Sequence, residues 1–179
     1  GMHVEGFGRT ALEDGATPDA QTLFEIGSVT KVFVALLLAE QVTQGTMVLD
    51  DPIATYLPDS LAIPPSVTLE DLATHTSGLP RLPSNCAPAD ACDPYASSTE
   101  ALLFEDLKTF DWSSRDTTYA YSNLGYGLLG TILARAADTT FAALIQDRIA
   151  RPLGLDDTVI GLSDDQRARM AQGYRDGEP

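Results

Sequence analysis

"FEIGSVTKVFVALLLA", residues 24–39, sets a serine and a lysine three places apart at the mouth of an apolar segment. Apolar residues recur here at three- and four-residue steps, through Val29, Val32, Phe33, Leu36 and Leu37 to Glu40. That spacing predicts a helix from about Ser28 to Gln44, stopped by Gly45. At i and i+3 on a helix, two side chains share a face with Cβ atoms about 5–6 Å apart. Two readings compete for Ser28 and Lys31. In one the serine sits near the helix start and the lysine stem lies along the surface. In the other they are a nucleophile and its base. A serine hydroxyl is a weak nucleophile near neutral pH and needs a base within hydrogen-bond reach. A lysine serves if burial and a neighbouring cation lower its pKa, and the positive end of a helix favours the developing oxyanion. S-x-x-K occurs by chance in many helices, so the rest of the chain must decide.

Outward from this helix, residues 4–10 ("VEGFGRT") read as the end of a strand, and "DTVIG" (157–161) as another short one. "LDDPIATYLP" (49–58) is a short helix or turn bounded by Pro52 and Pro58. Thr68 caps a short helix with Glu70 and Asp71 in its first turn, where negative charge is favoured, and "HTSGLP" (75–80) breaks it. Further helices are predicted from Ser98 or Thr99 to Phe110, over "SNLGYGLLGTILARAA" (122–137), and over "TTFAALIQDRIARPLGL" (139–155), with a last helical turn or two at 164–174. The pattern is α+β with helix dominant, and a strand at 4–10 would need sheet partners that this sequence scarcely offers.

Among 179 residues, 44% are hydrophobic, enough for one domain with a real core. The 26 acidic against 11 basic residues leave a net charge of −15, which makes nucleic acid and anionic lipid poor partners. No apolar run reaches the roughly 18 residues that cross a bilayer, and Gly1-Met2-His3 lacks the basic and apolar parts of a signal peptide. Cys86 and Cys92 stand in a loop-like stretch with no further cysteine or histidine to complete a metal site. They form either a local disulfide, which would suggest an oxidising compartment, or two free thiols. The reading calls for no cofactor and no metal.

A second constellation lies in "YAYSNLGYGLLG" (119–130), where Tyr121, Ser122 and Asn123 open an apolar helix. Ser122 or Asn123 suits the N-cap, and Tyr121 is either a core aromatic or a phenol placed to move a proton, with the Asn123 amide two residues on. Tyr119 and Tyr126 read as structural, since neither stands two residues before an asparagine.

Taken in order and at these separations, "FEIGSVTKVF", "HTSGLP" and "YSNLGYGLLG" resemble the serine β-lactamase/penicillin-binding-protein superfamily, most nearly class C β-lactamases and their esterase and D-peptidase relatives. The resemblance runs from about residue 4 to 174. It implies a β-lactamase/transpeptidase-like fold, with Ser28 as the acyl-forming nucleophile, Lys31 as its activating partner, Tyr121 as general acid/base and Asn123 as a ligand for the substrate amide. The Ser28 N–H would be half of the oxyanion hole, and His75 a structural landmark. Substrates would be small molecules: a β-lactam, an ester or a D-amino-acid peptide. Together with a Cys86–Cys92 disulfide, the resemblance suggests a periplasmic or secreted protein.

The superfamily also uses a K-T-G or H-x-G strand after the tyrosine motif, and no such tripeptide follows Asn123. The expectation is therefore a partial domain, 1–179, holding the helical portion without its closing sheet. Loss of one oxyanion donor costs about 2.7–4 kcal/mol, so the chain alone is expected to be weakly active or inactive. Unpaired edges and uncovered faces favour a homo-oligomer or a complementing C-terminal segment. The alternative is a non-catalytic remnant or interaction module on the same scaffold.

Overall fold

A computed structural model describes residues 3–85 and 98–174. The core is built around α4, Asn123–Ala136, which packs against α1, Thr30–Thr43, and α2, Leu69–Thr74. Leu128, Leu129, Ile132 and Leu133 of α4 are fully buried. Burying a side chain of this kind is worth about 1.5–3 kcal/mol. The helix is as fixed at its entrance as along its face. Ser122 caps it by accepting from the Gly125 N–H at 2.8 Å, and its own hydroxyl donates to the Pro80 carbonyl at 2.6 Å.

Local chemistry explains the other helices. Thr68 and Asp71 form a reciprocal capping box at the start of α2, with bonds of 3.2 and 3.1 Å. Thr99 accepts from the Leu102 N–H to start α3, Glu100–Thr109. The helix expected over 139–155 is divided: α5, Phe141–Ile145, runs directly into a π-helical turn, Gln146–Ala150. There the Arg151 N–H reaches back five residues to the Gln146 carbonyl. Ser163 caps α6, Asp164–Ala168. Residues 52–58 form a 3₁₀ turn, Ile53–Tyr56, flanked by the two prolines.

Two expectations need correction. Residues 4–10 are not a strand, and neither is 157–161; among the described residues, β pairing is limited to isolated bridges between Leu23 and Met170 and between Pro52 and Thr68. With no neighbouring strand, Thr10 spends its N–H on the Ala16 carbonyl and its own carbonyl on the Gln172 N–H. The segment after α6 returns to hold the start of the chain. Leu23 N–H donates to Arg169 O, Ala171 N–H donates to Leu23 O, and Arg169 forms a two-armed ion pair with Asp157 at 2.7 and 2.8 Å.

Packing decides which face of α1 is buried. The core takes Val34, Leu37, Leu38 and Gln41, while Val29, Val32 and Leu36 remain 55%, 57% and 50% exposed. α1 is apolar nearly all round, so its periodicity does not select a side. Exposed Phe24 and Ile26 extend this uncovered surface toward the chain start. Cys86 and Cys92 lie outside the described residues. No single helix among those described is long and apolar enough to cross a membrane.

Candidate active site

Ser28 lies in a 3₁₀ turn, Gly27–Val29, that feeds directly into α1. Gly27 holds φ at +50° with open space where a Cβ would stand, so its conformation, not crowding, calls for glycine. The turn leaves the Ser28 hydroxyl exposed at the helix entrance and Lys31 one turn further in. Lys31 Nζ donates to Ser28 Oγ at 3.2 Å.

Tyr121 and Asn123 arrive from the other side, at the entrance to α4. Ser28 Oγ and Tyr121 Oη are 2.7 Å apart and share a hydrogen bond. Lys31 Nζ also donates to Asn123 Oδ1 at 2.8 Å and stands 4.7 Å from the Tyr121 ring centroid. All four side chains singled out in the sequence therefore meet in one place, although more than 90 residues separate the two pairs. Hydrogen bonding from Lys31, then from Ser28, holds the Tyr121 phenol below its ordinary value, and the positive charges of Lys31 and Arg81 act the same way.

A cavity of about 550 Å³ opens beside the cluster. Ser28 and Lys31 stand at its polar end, and Val34, Gly127, Gly130 and Phe141 supply most of its apolar wall. Gly127 faces open space, so its missing side chain leaves room there.

Two neighbours were not legible as parts of this site. Arg81 lies with its guanidinium carbon 5.2 Å from the Tyr121 ring centroid, and its carbonyl accepts the Asn123 N–H at 3.0 Å. His75 packs its ring 4.6 Å from that of Tyr121 and accepts the Ser122 N–H on Nδ1 at 3.1 Å. The only signal was the "HTSGLPR" run itself. Its Gly78 has φ +77°, and a Cβ there would meet Arg115 Cβ at 2.7 Å, so the turn that carries Arg81 is closely packed. Of the competing tyrosines, Tyr126 donates its hydroxyl to the Ala73 carbonyl at 2.8 Å, and burial, then Tyr121, pushes its phenol up. Tyr119 is largely exposed. No group of three or more possible metal ligands occurs among the described residues.

A helical scaffold with a serine, a lysine and a tyrosine sharing hydrogen bonds at one cleft has clear relatives. The family model for β-lactamase matches residues 2–179, and the chain belongs to that family. It is 33% identical to a D-alanyl-D-alanine-carboxypeptidase/endopeptidase, AmpH, of Escherichia coli (strain K12), over 97% of this chain and 46% of that protein. Against a β-lactamase of the same organism it is 32% identical, over 88% of this chain and 40% of the other. The crystal structure of a β-lactamase/D-alanine carboxypeptidase from Yersinia pestis superposes with a TM-score of 0.85 at 30% identity, covering 93% of this chain and 48% of that one. A class C β-lactamase from Rhodobacter sphaeroides gives 0.78 at 34% identity, covering 94% and 45%. The fold is thus β-lactamase/transpeptidase-like, represented by its helical portion. The chain spans about half the length of the relatives it matches.

Proposed function

We propose that this chain carries the acylation centre of a class C β-lactamase-like serine hydrolase, with Ser28 as nucleophile and a β-lactam, small ester or D-amino-acid peptide as substrate. The observation that supports this most is the position of Ser28 Oγ, within hydrogen-bond reach of both Tyr121 Oη, at 2.7 Å, and Lys31 Nζ, at 3.2 Å. In this reading the Ser28 oxygen attacks the acyl carbon and its proton passes to the Tyr121 oxygen. The same proton then goes to the departing nitrogen or oxygen, leaving an ester on Ser28. Water attacks that ester by the reverse route, with Tyr121 again taking the proton.

Lys31 donates to Ser28 and to Asn123 at once, which suits an ammonium. Its role is then electrostatic: it stabilises both the developing alkoxide and the Tyr121 phenolate, and the base role falls to Tyr121. Asn123 fixes the ammonium and offers its amide N–H₂ to the substrate. The Ser28 N–H supplies one oxyanion donor. The resemblance places a second donor on the K-T-G or H-x-G strand, and without it the chain is expected to acylate slowly. Incubation with nitrocefin and nitrophenyl esters tests the reading. Slow hydrolysis that disappears in Ser28→Ala supports it. Hydrolysis that persists in Ser28→Ala contradicts it.

The uncovered face of α1 favours a second reading, in which the scaffold is an interaction module without turnover. Val29, Val32 and Leu36 on α1, with Phe24 and Ile26 just before it, are all exposed apolar residues close in sequence, and a large exposed apolar patch marks an interaction site. A second copy, or a complementing C-terminal segment, would cover it. Light scattering across a concentration series separates the readings. A stable oligomer without Ser28-dependent hydrolysis supports the module, and turnover by the isolated chain contradicts it.

A further inference from the structure

We propose that His75 is a positioning residue for Tyr121, a tether that holds only while its imidazole is neutral. The proposal rests on the reading of Tyr121 as the site's acid/base.

Both residues flanking Tyr121 hang from His75. The Ala120 N–H donates to the His75 carbonyl at 2.9 Å, and the Ser122 N–H donates to its Nδ1 at 3.1 Å. Between these two bonds the Tyr121 ring lies against the imidazole, centroids 4.6 Å apart and tilted by 37°. Tyr126 packs on the same ring at 4.9 Å, and Tyr119 meets it edge-on at 5.8 Å. Ser122 is also the N-cap of α4, its Oγ accepting the Gly125 N–H, so the tether registers Tyr121 against the helix that carries Asn123.

The backbone sharpens the point. His75 ends α2 in the left-handed region, φ +63°, which glycine adopts most easily and which asparagine, aspartate and histidine visit more often than other residues. The backbone alone does not single out histidine among these. Histidine contributes a ring long enough to reach Ser122 and broad enough to support Tyr121, and the residue is buried, 9% exposed.

An Nδ1 that accepts a hydrogen bond must carry a lone pair, so the ring is neutral with its proton on Nε2. Burial first, then the charge of Lys31, holds the imidazole below its ordinary value, which keeps that form in place near neutral pH. The groups facing it are Tyr119, Tyr121 and Tyr126 on the α4 side and Lys31 from α1, with Arg81 acting across Tyr121. On its own helix, Asp71 is engaged by Thr68 and Thr76. Protonation converts Nδ1 from acceptor to donor, opposes the Ser122 N–H, and releases Tyr121 from Ser28.

Two measurements on the whole chain test this. The first is nitrogen NMR of the imidazole; the chain has two histidines, and His75→Asn assigns the signals. The expected result is the Nε2–H tautomer, a midpoint below 6.5, and a Ser122 amide signal that moves with the same midpoint. An Nδ1–H tautomer, or a Ser122 amide indifferent to it, overturns the proposal. The second is the pH profile of Ser28 labelling by a fluorophosphonate in wild type, His75→Leu and His75→Asn. Asparagine suits the left-handed backbone and can place its Oδ1 where Nδ1 was. His75→Leu is expected to slow labelling about tenfold or more. His75→Asn should recover most of that loss and lack the step of the profile that coincides with the imidazole midpoint found by NMR, while the rise set by Tyr121 remains. A step at that midpoint that persists in a folded His75→Asn overturns the proposal. If Ser28 labels in none of the three proteins, the nucleophile reading falls, and the NMR result alone decides the tether.

Discussion

Lys31 Nζ donates to Asn123 Oδ1 at 2.8 Å, and that single bond joins the entrance of α1 to the entrance of α4 at the point where Ser28 and Tyr121 meet. Lys31 Nζ also donates to Ser28 Oγ at 3.2 Å, so its placement beside the serine is shared with a residue 92 positions away.

Removing the proposed proton carrier should matter most. Tyr121→Phe keeps the ring against His75 but deletes the oxygen 2.7 Å from Ser28. The expected result is a roughly 10²–10⁴-fold slower acylation of Ser28, the usual loss of a general acid/base. Pre-steady-state labelling measures it, and circular dichroism should show an unchanged fold.

The pH dependence has a definite sign. As a base, Tyr121 must be phenolate, so acylation should rise as pH rises through its titration. The midpoint should fall below the ordinary tyrosine value of 10.0, because Lys31 and Ser28 favour the phenolate. In Lys31→Gln the leading cause is gone, and the midpoint should move upward. A profile of labelling rate against pH for the two proteins checks both statements.

The cavity beside Ser28 should set which acyl groups are accepted. Gly127 faces open space on its wall, so Gly127→Leu would fill volume without displacing backbone. Ester probes with bulky apolar acyl groups should lose rate while acetyl esters keep most of theirs. Gly127→Ala should instead raise stability by up to about 1 kcal/mol, the helix cost of glycine relative to alanine. Thermal melting measures that gain.

The pair that anchors the chain start should weaken in acid. Arg169, then Gln166, lowers the Asp157 carboxyl to about 2, against 3.8 for an unperturbed group. A depressed carboxylate stabilises the fold fully above its unfolded pKa, and this contribution is lost as pH falls through the folded one. Wild-type stability should therefore drop between about pH 4 and pH 2, and Arg169→Gln should flatten that part of the curve. Urea titrations at a series of pH values show the difference.

Much of this was legible in the sequence, and the rest was not for physical reasons. The i, i+3 spacing of Ser28 and Lys31 and the cap at Ser122 are local, so periodicity and capping chemistry reveal them. Only the family resemblance suggested that the two motifs meet. His75 was read as structural because its partners, Ala120 and Ser122, lie 45 and 47 residues away and no local pattern announces them. The buried side of α1 was not legible because Val29, Val32 and Leu36 look as apolar as Val34, Leu37 and Leu38. The two expected strands failed for a related reason: strand formation depends on partners, and residues 4–10 pair instead with a turn and with the segment after α6.

The most direct test of the central claim is peptide mapping by mass spectrometry after exposure to a penicillin or a fluorophosphonate. It should be run on the whole chain, with an exposure long enough for slow acylation. The account predicts one adduct, on Ser28, forming far more slowly in Tyr121→Phe. An unmodified Ser28, or a label that forms as fast without the Tyr121 hydroxyl, would contradict it.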